Sequence, residues 1–104
     1  MTPKTRPGAS SAVGPHLPYR MSRQPSVCDT FGISRSALYR GIQSGLFPPP
    51  VKVGDRSSAW PDSEIELIAR ALIAGASPDE IRQLVTQILA ARKELMRITT
   101  TLSP

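Results

Sequence analysis

One cysteine and one histidine are all that this 104-residue chain holds of the side chains that most often bind metals or form covalent intermediates. Cys28 has no second cysteine to pair with, which excludes a disulfide-stapled secreted scaffold and fits a reducing cytoplasm. His16 completes no Cys/His cluster with zinc spacing, and no nucleophile has a histidine base in an ordered segment. A P-loop and a GxGxxG turn are both missing. No enzyme, metal or cofactor is therefore expected. No apolar run approaches the roughly 20 residues that span a bilayer, and the first residues lack the apolar core of a signal peptide. A cytoplasmic protein without membrane association is the expectation.

What the chain does have is positive charge, unevenly placed. The formal charge is +5 and the isoelectric point about 10.2, with ten arginines against three lysines. Up to Trp60 eight basic residues (Lys4, Arg6, Arg20, Arg23, Arg35, Arg40, Lys52, Arg56) face only Asp29 and Asp55. From Pro61 onward five basic residues meet six acidic ones. Phosphate neutralisation needs clustered cations and solubility does not, so the front half is the one expected to face a polyanion. An ordinary basic surface is the plainer alternative. The arginine excess suits bidentate base contacts and equally a GC-rich genome.

The length is that of one domain. Residues 1–19 carry Pro3, Pro7, Pro15 and Pro18 among small polar residues, and a disordered N-terminal tail is expected there. Its Lys4 and Arg6 are either a passive tail or a flexible arm on phosphates. Met21 opens the compact region and is an alternative translation start to Met1.

Val27, Cys28 and Phe31 have helical spacing, and Pro25 suits a first helical turn. Cys28 reads as a small core residue in this helix. Gly32-Ile33-Ser34 then supplies a left-handed glycine, an apolar plug for the angle between two helices, and a hydroxyl cap. The next helix is predicted from about Arg35 to Ser44, stopped by Gly45. Leu38 and Ile42 face its core side, so Arg35, Ser36, Tyr39, Arg40 and Gln43 share the opposite face. This is how a helix-turn-helix presents a reading helix to DNA. Arginine takes guanine O6 and N7 bidentately, Gln43 matches adenine, and Ser34, Ser36 and Tyr39 suit phosphate or base edges. Tyr39 has a second option, packing beneath the hairpin that follows. Gly41 costs this helix about 1 kcal/mol relative to alanine unless a close backbone approach uses it.

Leu46-Phe47-Pro48-Pro49-Pro50 is a stiff connector with Phe47 as core anchor. Val51-Lys52-Val53, a turn over 54–57 and Ser58-Ala59-Trp60 read as a short hairpin, a wing that projects Lys52 and Arg56 toward phosphates or a minor groove. A third helix starts near Pro61 with Ile65, Ile68 and Leu72 as its buried stripe, and ends at Gly75. Ser77-Pro78-Asp79-Glu80 is a capping-box start for a fourth helix running to about Ile98. In it Ile81, Leu84, Ile88, Ala91, Leu95 and Ile98 keep a 3-4 rhythm for three heptads. That seam serves either a homodimer or packing on the helix's own domain. The predicted fold is mainly α: a small winged helix-turn-helix domain over 20–75 with a short β-hairpin wing, an added C-terminal amphipathic helix over 76–98, and a tail over 99–104.

The order and spacing of Gly32-Ile33-Ser34-Arg35-Ser36-Ala37-Leu38-Tyr39-Arg40, Gly45-Leu46-Phe47-Pro48, Pro50-Val51-Lys52-Val53-Gly54-Asp55-Arg56 and Trp60 with Ser63-Glu64-Ile65 resemble the AlpA family of prophage regulators, related to excisionases and to MerR-like winged helix-turn-helix proteins. The resemblance covers about Arg20 to Ala74. The chain departs from it at Gln24, where the family tends to be apolar, and at Gly41, usually a bulkier residue. It implies a regulator that binds a short double-stranded DNA site, with the second helix in the major groove and the wing beside it, and with recombinase or RNA polymerase as further contacts. Two other readings stand beside a sequence-specific transcriptional regulator. One is an excisionase-like architectural factor that bends DNA for a recombinase. The other is a helical protein-interaction module or antitoxin, separated from the first two by salt-sensitive binding to duplex DNA.

Overall fold

A computed structural model describes residues 20–102 and builds them from short-range signals that can be followed helix by helix. The expected tail over 1–19, with Lys4, Arg6 and His16, lies outside the described residues. Strand β1 (Met21–Ser22) leads into α1 (Gln24–Phe31), α2 (Arg35–Gln43), β2 (Val51–Lys52), β3 (Ser58–Pro61), α3 (Asp62–Ile73) and α4 (Pro78–Leu102). This is the mainly α winged helix-turn-helix with an added C-terminal helix that the sequence predicts.

The turn between α1 and α2 is made by two devices. Gly32 sits at φ 64°, and the amides of Gly32 and Ile33 donate to the carbonyls of Asp29 and Cys28, closing α1 with a left-handed cap. Ser34 is extended, and its hydroxyl oxygen accepts the Ala37 amide at 3.0 Å, which opens α2. Gly45, at φ 79°, ends α2 in the same left-handed way, with Leu46 N–H donating to Gly41 O at 2.8 Å. At the start of α4 the capping box is reciprocal: Glu80 N–H donates to Ser77 Oγ at 3.2 Å and Ser77 N–H to Glu80 Oε1 at 2.7 Å.

The sheet is antiparallel in the order β1-β3-β2. Val51 pairs with Ala59 and Lys52 with Ser58, forming the wing, while Met21 pairs with Pro61 and Ser22 with Trp60. The expected strand over Val51–Val53 is shorter by one residue. Val53 is half exposed, although its amide still donates to Ser57 O at 2.9 Å.

Val27, Leu38, Phe47, Trp60, Ile65 and Ile68 fill one core, joined by Ile81, Val85 and Ile88 of α4. Trp60 is fully buried, and its indole N–H donates to Pro48 O at 2.8 Å. The Phe47 ring meets Phe31 and Trp60 edge to face, with centroids 5.4 and 6.0 Å apart. Cys28 is buried in this core beside them, with the Gln24 amide 3.1 Å from its sulfur.

Four expectations need correction. Leu72 is 51% exposed, because Ile65 and Ile68 already carry α3 against the core and its last turn runs past it. Ile33 is 37% exposed and lines an apolar groove between α2 and the α3–α4 corner instead of plugging the helix angle. Helix α4 continues to Leu102, so most of the expected tail from residue 99 is helical. Finally, Ile81 and Ile88 are buried within the domain together with Val85, an i, i+4, i+7 row that turns this half of the seam inward.

Candidate nucleic-acid interface

Helix α2 is oriented by a single buried side chain. Leu38 is 1% exposed and Ile42 half-buried, so Arg35, Ser36, Tyr39, Arg40 and Gln43 all emerge on the solvent side. The Arg35 guanidinium lies over the Tyr39 ring, 5.9 Å from its centroid. Such stacking holds the cation at the surface while leaving its N–H edge open. Tyr39 is 38% exposed and is not enclosed beneath the wing. Ser34 uses its oxygen for the helix cap, so its part in any interface is first to fix where α2 begins. The Arg40 carbonyl accepts both the amide (3.0 Å) and the hydroxyl (2.8 Å) of Ser44, and its side chain is free of that network.

Lys52 and Arg56 are exposed on a separate element, the wing. Arg23, which spacing gave no reason to single out, reaches the wing base, with Nη2 3.4 Å from Ser57 Oγ. The five α2 side chains thus share one face, and the two wing cations are brought to them only through the connector over 44–50.

Charge pairing separates the two halves of the molecule. All four arginines of α3 and α4 face carboxylates: Arg70 with Glu66, Arg82 with Asp79, Arg92 with Glu64 and Arg97 with Glu94. Among the described residues, Arg20, Arg23, Arg35, Arg40, Lys52 and Arg56 have no carboxylate within ion-pair distance, and in the rear helices Lys93 shares that state. The cations flanking β1, those of α2 and those of the wing are left for an external anion.

The connector itself is held from α4, through residues whose partners lie far away in sequence. Arg82 Nε–H donates to Ser44 O at 2.9 Å. Arg92 donates through Nε and Nη2 to both oxygens of Glu64, at 2.8 and 2.6 Å, and through Nη2 to Pro49 O at 2.8 Å. Of the predicted dimer residues, Ile81 and Ile88 are buried, Leu84 is half-buried, and Ala91, Leu95 and Ile98 are exposed. Leu67, Leu84, Ala91 and Leu95 line a shallow groove between α3 and α4.

Among the described residues there is no cluster of three or more potential metal ligands and no helix long and apolar enough to cross a membrane. Residues 20–67 match the family described as Prophage CP4-57 regulatory protein (AlpA). A 56-residue stretch is 41% identical to "Uncharacterized protein ORF88" of Enterobacteria phage P4, covering 54% of this chain and 64% of that protein. The chain therefore spans just under two thirds of that relative's length. No solved structure matches. The family match stops inside α3, so α4 lies beyond it.

Proposed function

Because residues 20–67 belong to the AlpA family of prophage regulatory proteins, we propose that this protein is a sequence-specific, DNA-binding transcriptional regulator of phage or mobile-element type, without catalytic activity. The observation that carries the reading is the set of unpaired cations beside β1, on α2 and on the wing, set against the paired arginines of α3 and α4. In this reading α2 lies in the major groove. Arg35 and Arg40 address guanine edges, Gln43 adenine, and Ser34, Ser36 and Tyr39 the nearby phosphates or bases. Lys52 and Arg56 bring the wing against the backbone or a minor groove.

Two copies act together through the outer half of α4, where Leu95 and Ile98 are each 44% exposed and continue the 3-4 rhythm from Ala91. A symmetric pair places two α2 helices one duplex turn apart, or a multiple of it, on a site with two-fold symmetry. Selection of bound duplexes from a random library, with footprints and a salt series, tests the whole reading. The expected result is one recovered motif and affinity that falls steeply with salt. Several copies side by side on a bent duplex would instead identify an excisionase-type architectural factor. Failure to retain any duplex at low salt would overturn the DNA reading.

A further inference from the structure

We infer that α4 sets the distance between α2 and the wing, and that Arg82 and Arg92 are the positioning residues through which it does so. This rests on the DNA reading above and extends it to a helix that the family match does not cover.

Two ends of one connector are bonded to one rigid rod. At the α2 end, Arg82 donates to the carbonyl of Ser44, the C-cap of α2 and one of the carbonyls that the helix leaves without an internal partner. A cation is also favoured there by the helix dipole. The arginine stem lies directly over Gly45: a Cβ built on that glycine would stand 3.6 Å from Arg82 Cγ. At the wing end, Arg92 holds Pro49 O, two residues before β2 begins. The next carbonyl back, that of Pro48, is taken by the Trp60 indole of β3. Arg82 and Arg92 are ten residues apart on α4, about 15 Å along the helix axis.

The connector cannot absorb a shift at its wing-end anchor. Pro48-Pro49-Pro50 has fixed φ angles and no amide donors, so a displacement at Pro49 passes on to Val51 and the wing. Glu64 fixes the guanidinium of Arg92 in return. The Glu64 side chain is buried, 10% exposed, and engaged by two of the arginine's nitrogens, which leaves Arg92 little freedom to reach a phosphate. Arg82 meets Asp79 through one contact at 3.1 Å on the exposed surface, a looser brace than that of Arg92. These two arginines are spent on geometry.

The chemistry of the two anchors differs, and the test uses that difference. Arg82 makes one bond to Ser44, which a lysine ammonium can supply. Arg92 needs a planar fork to hold Glu64 and Pro49 at once, which lysine lacks. With spin labels on Ser36→Cys and Arg56→Cys in a Cys28→Ala background, the free protein is expected to give one narrow distance distribution between α2 and the wing. Arg82→Ala and Arg92→Lys should broaden or shift it, and Arg82→Lys should restore it. On the duplex selected by the wild-type chain, the same two variants, melting above the assay temperature, should lose about tenfold or more in affinity while retaining binding to unrelated duplex. An unchanged distance distribution in both variants overturns the inference, whatever the wild type does with DNA. An equal loss on selected and unrelated duplex also overturns it, since that pattern belongs to direct phosphate contacts. A wild-type chain that retains no duplex, with the distances still responding, removes the DNA reading and leaves the spacing set by Arg82 and Arg92 as a purely structural device.

Discussion

Arg40 divides its work between backbone and side chain. Its carbonyl closes α2 by accepting from Ser44, a bond in which the Arg40 side chain takes no part. Its guanidinium stands in solvent without a carboxylate partner among the described residues. Arg40→Ala is therefore expected to leave the melting temperature nearly unchanged. It should weaken binding to the selected duplex by about 1 to 3 kcal/mol, with preference relaxed at one or two base positions in a competition assay. Gly41, one residue on, is expected to behave in the opposite way. A Cβ there would stand 3.8 Å from the Phe47 Cβ, an ordinary contact, so no close approach reserves the position for glycine. Gly41→Ala should raise stability by up to about 1 kcal/mol, measured as a higher urea midpoint at unchanged slope. At this scale the sequence was readable wherever the partner is three or four residues away, as for Ser34 with Ala37 and Ser77 with Glu80. Arg82 and Arg92 were not readable, because Ser44 lies 38 residues away, Pro49 43 and Glu64 28, and nothing in composition marks such pairs.

Elements with their own start and stop signals were legible, and those defined by a neighbour were not. Glycine turns and caps bound α1 and α2, and the Pro61-Asp62 corner opens α3 close to the expected place. β1 is two residues long and exists because β3 offers it an edge, so it has no pattern of its own. The heptad rhythm of α4 located the helix but not the face it buries. Val85, off the seam, is 5% exposed, and it rotates the buried row away from Leu84 toward Ile81 and Ile88. The wing was found from its turn residues, and its chemistry is tested as an element. Replacing Lys52 and Arg56 by alanine should reduce the slope of log K against log salt by roughly one unit each, with base preference preserved. A wild-type slope in the double variant would place the wing away from the DNA.

For the molecule as a whole, the division of α4 decides which substitutions report on association. Ile88 is 4% exposed in the core, so Ile88→Glu is expected to unfold the domain, seen as loss of a cooperative melt. Leu95 is 44% exposed on the outer half, and Leu95→Glu should leave the melt of the monomer intact while abolishing the dimer in sedimentation and weakening operator binding. A wild-type chain that sediments as a monomer at tens of micromolar (roughly the range of a weak natural dimer) and on DNA would remove the second copy from the picture. The carboxylate pairing of the rear helices has one more consequence, which concerns motion before any contact exists. With the α3 and α4 arginines paired to carboxylates and the cations beside β1, on α2 and on the wing left bare, the described residues carry an uneven charge and so an electric moment directed toward the α2 and wing side. Near a polyanion that moment exerts a torque, so the protein arrives already rotated, and fewer collisions are lost to wrong orientations. Within about 10 Å, the screening length at 0.1 M salt, tumbling gives way to alignment, and added salt acts first on how often the two molecules meet face to face.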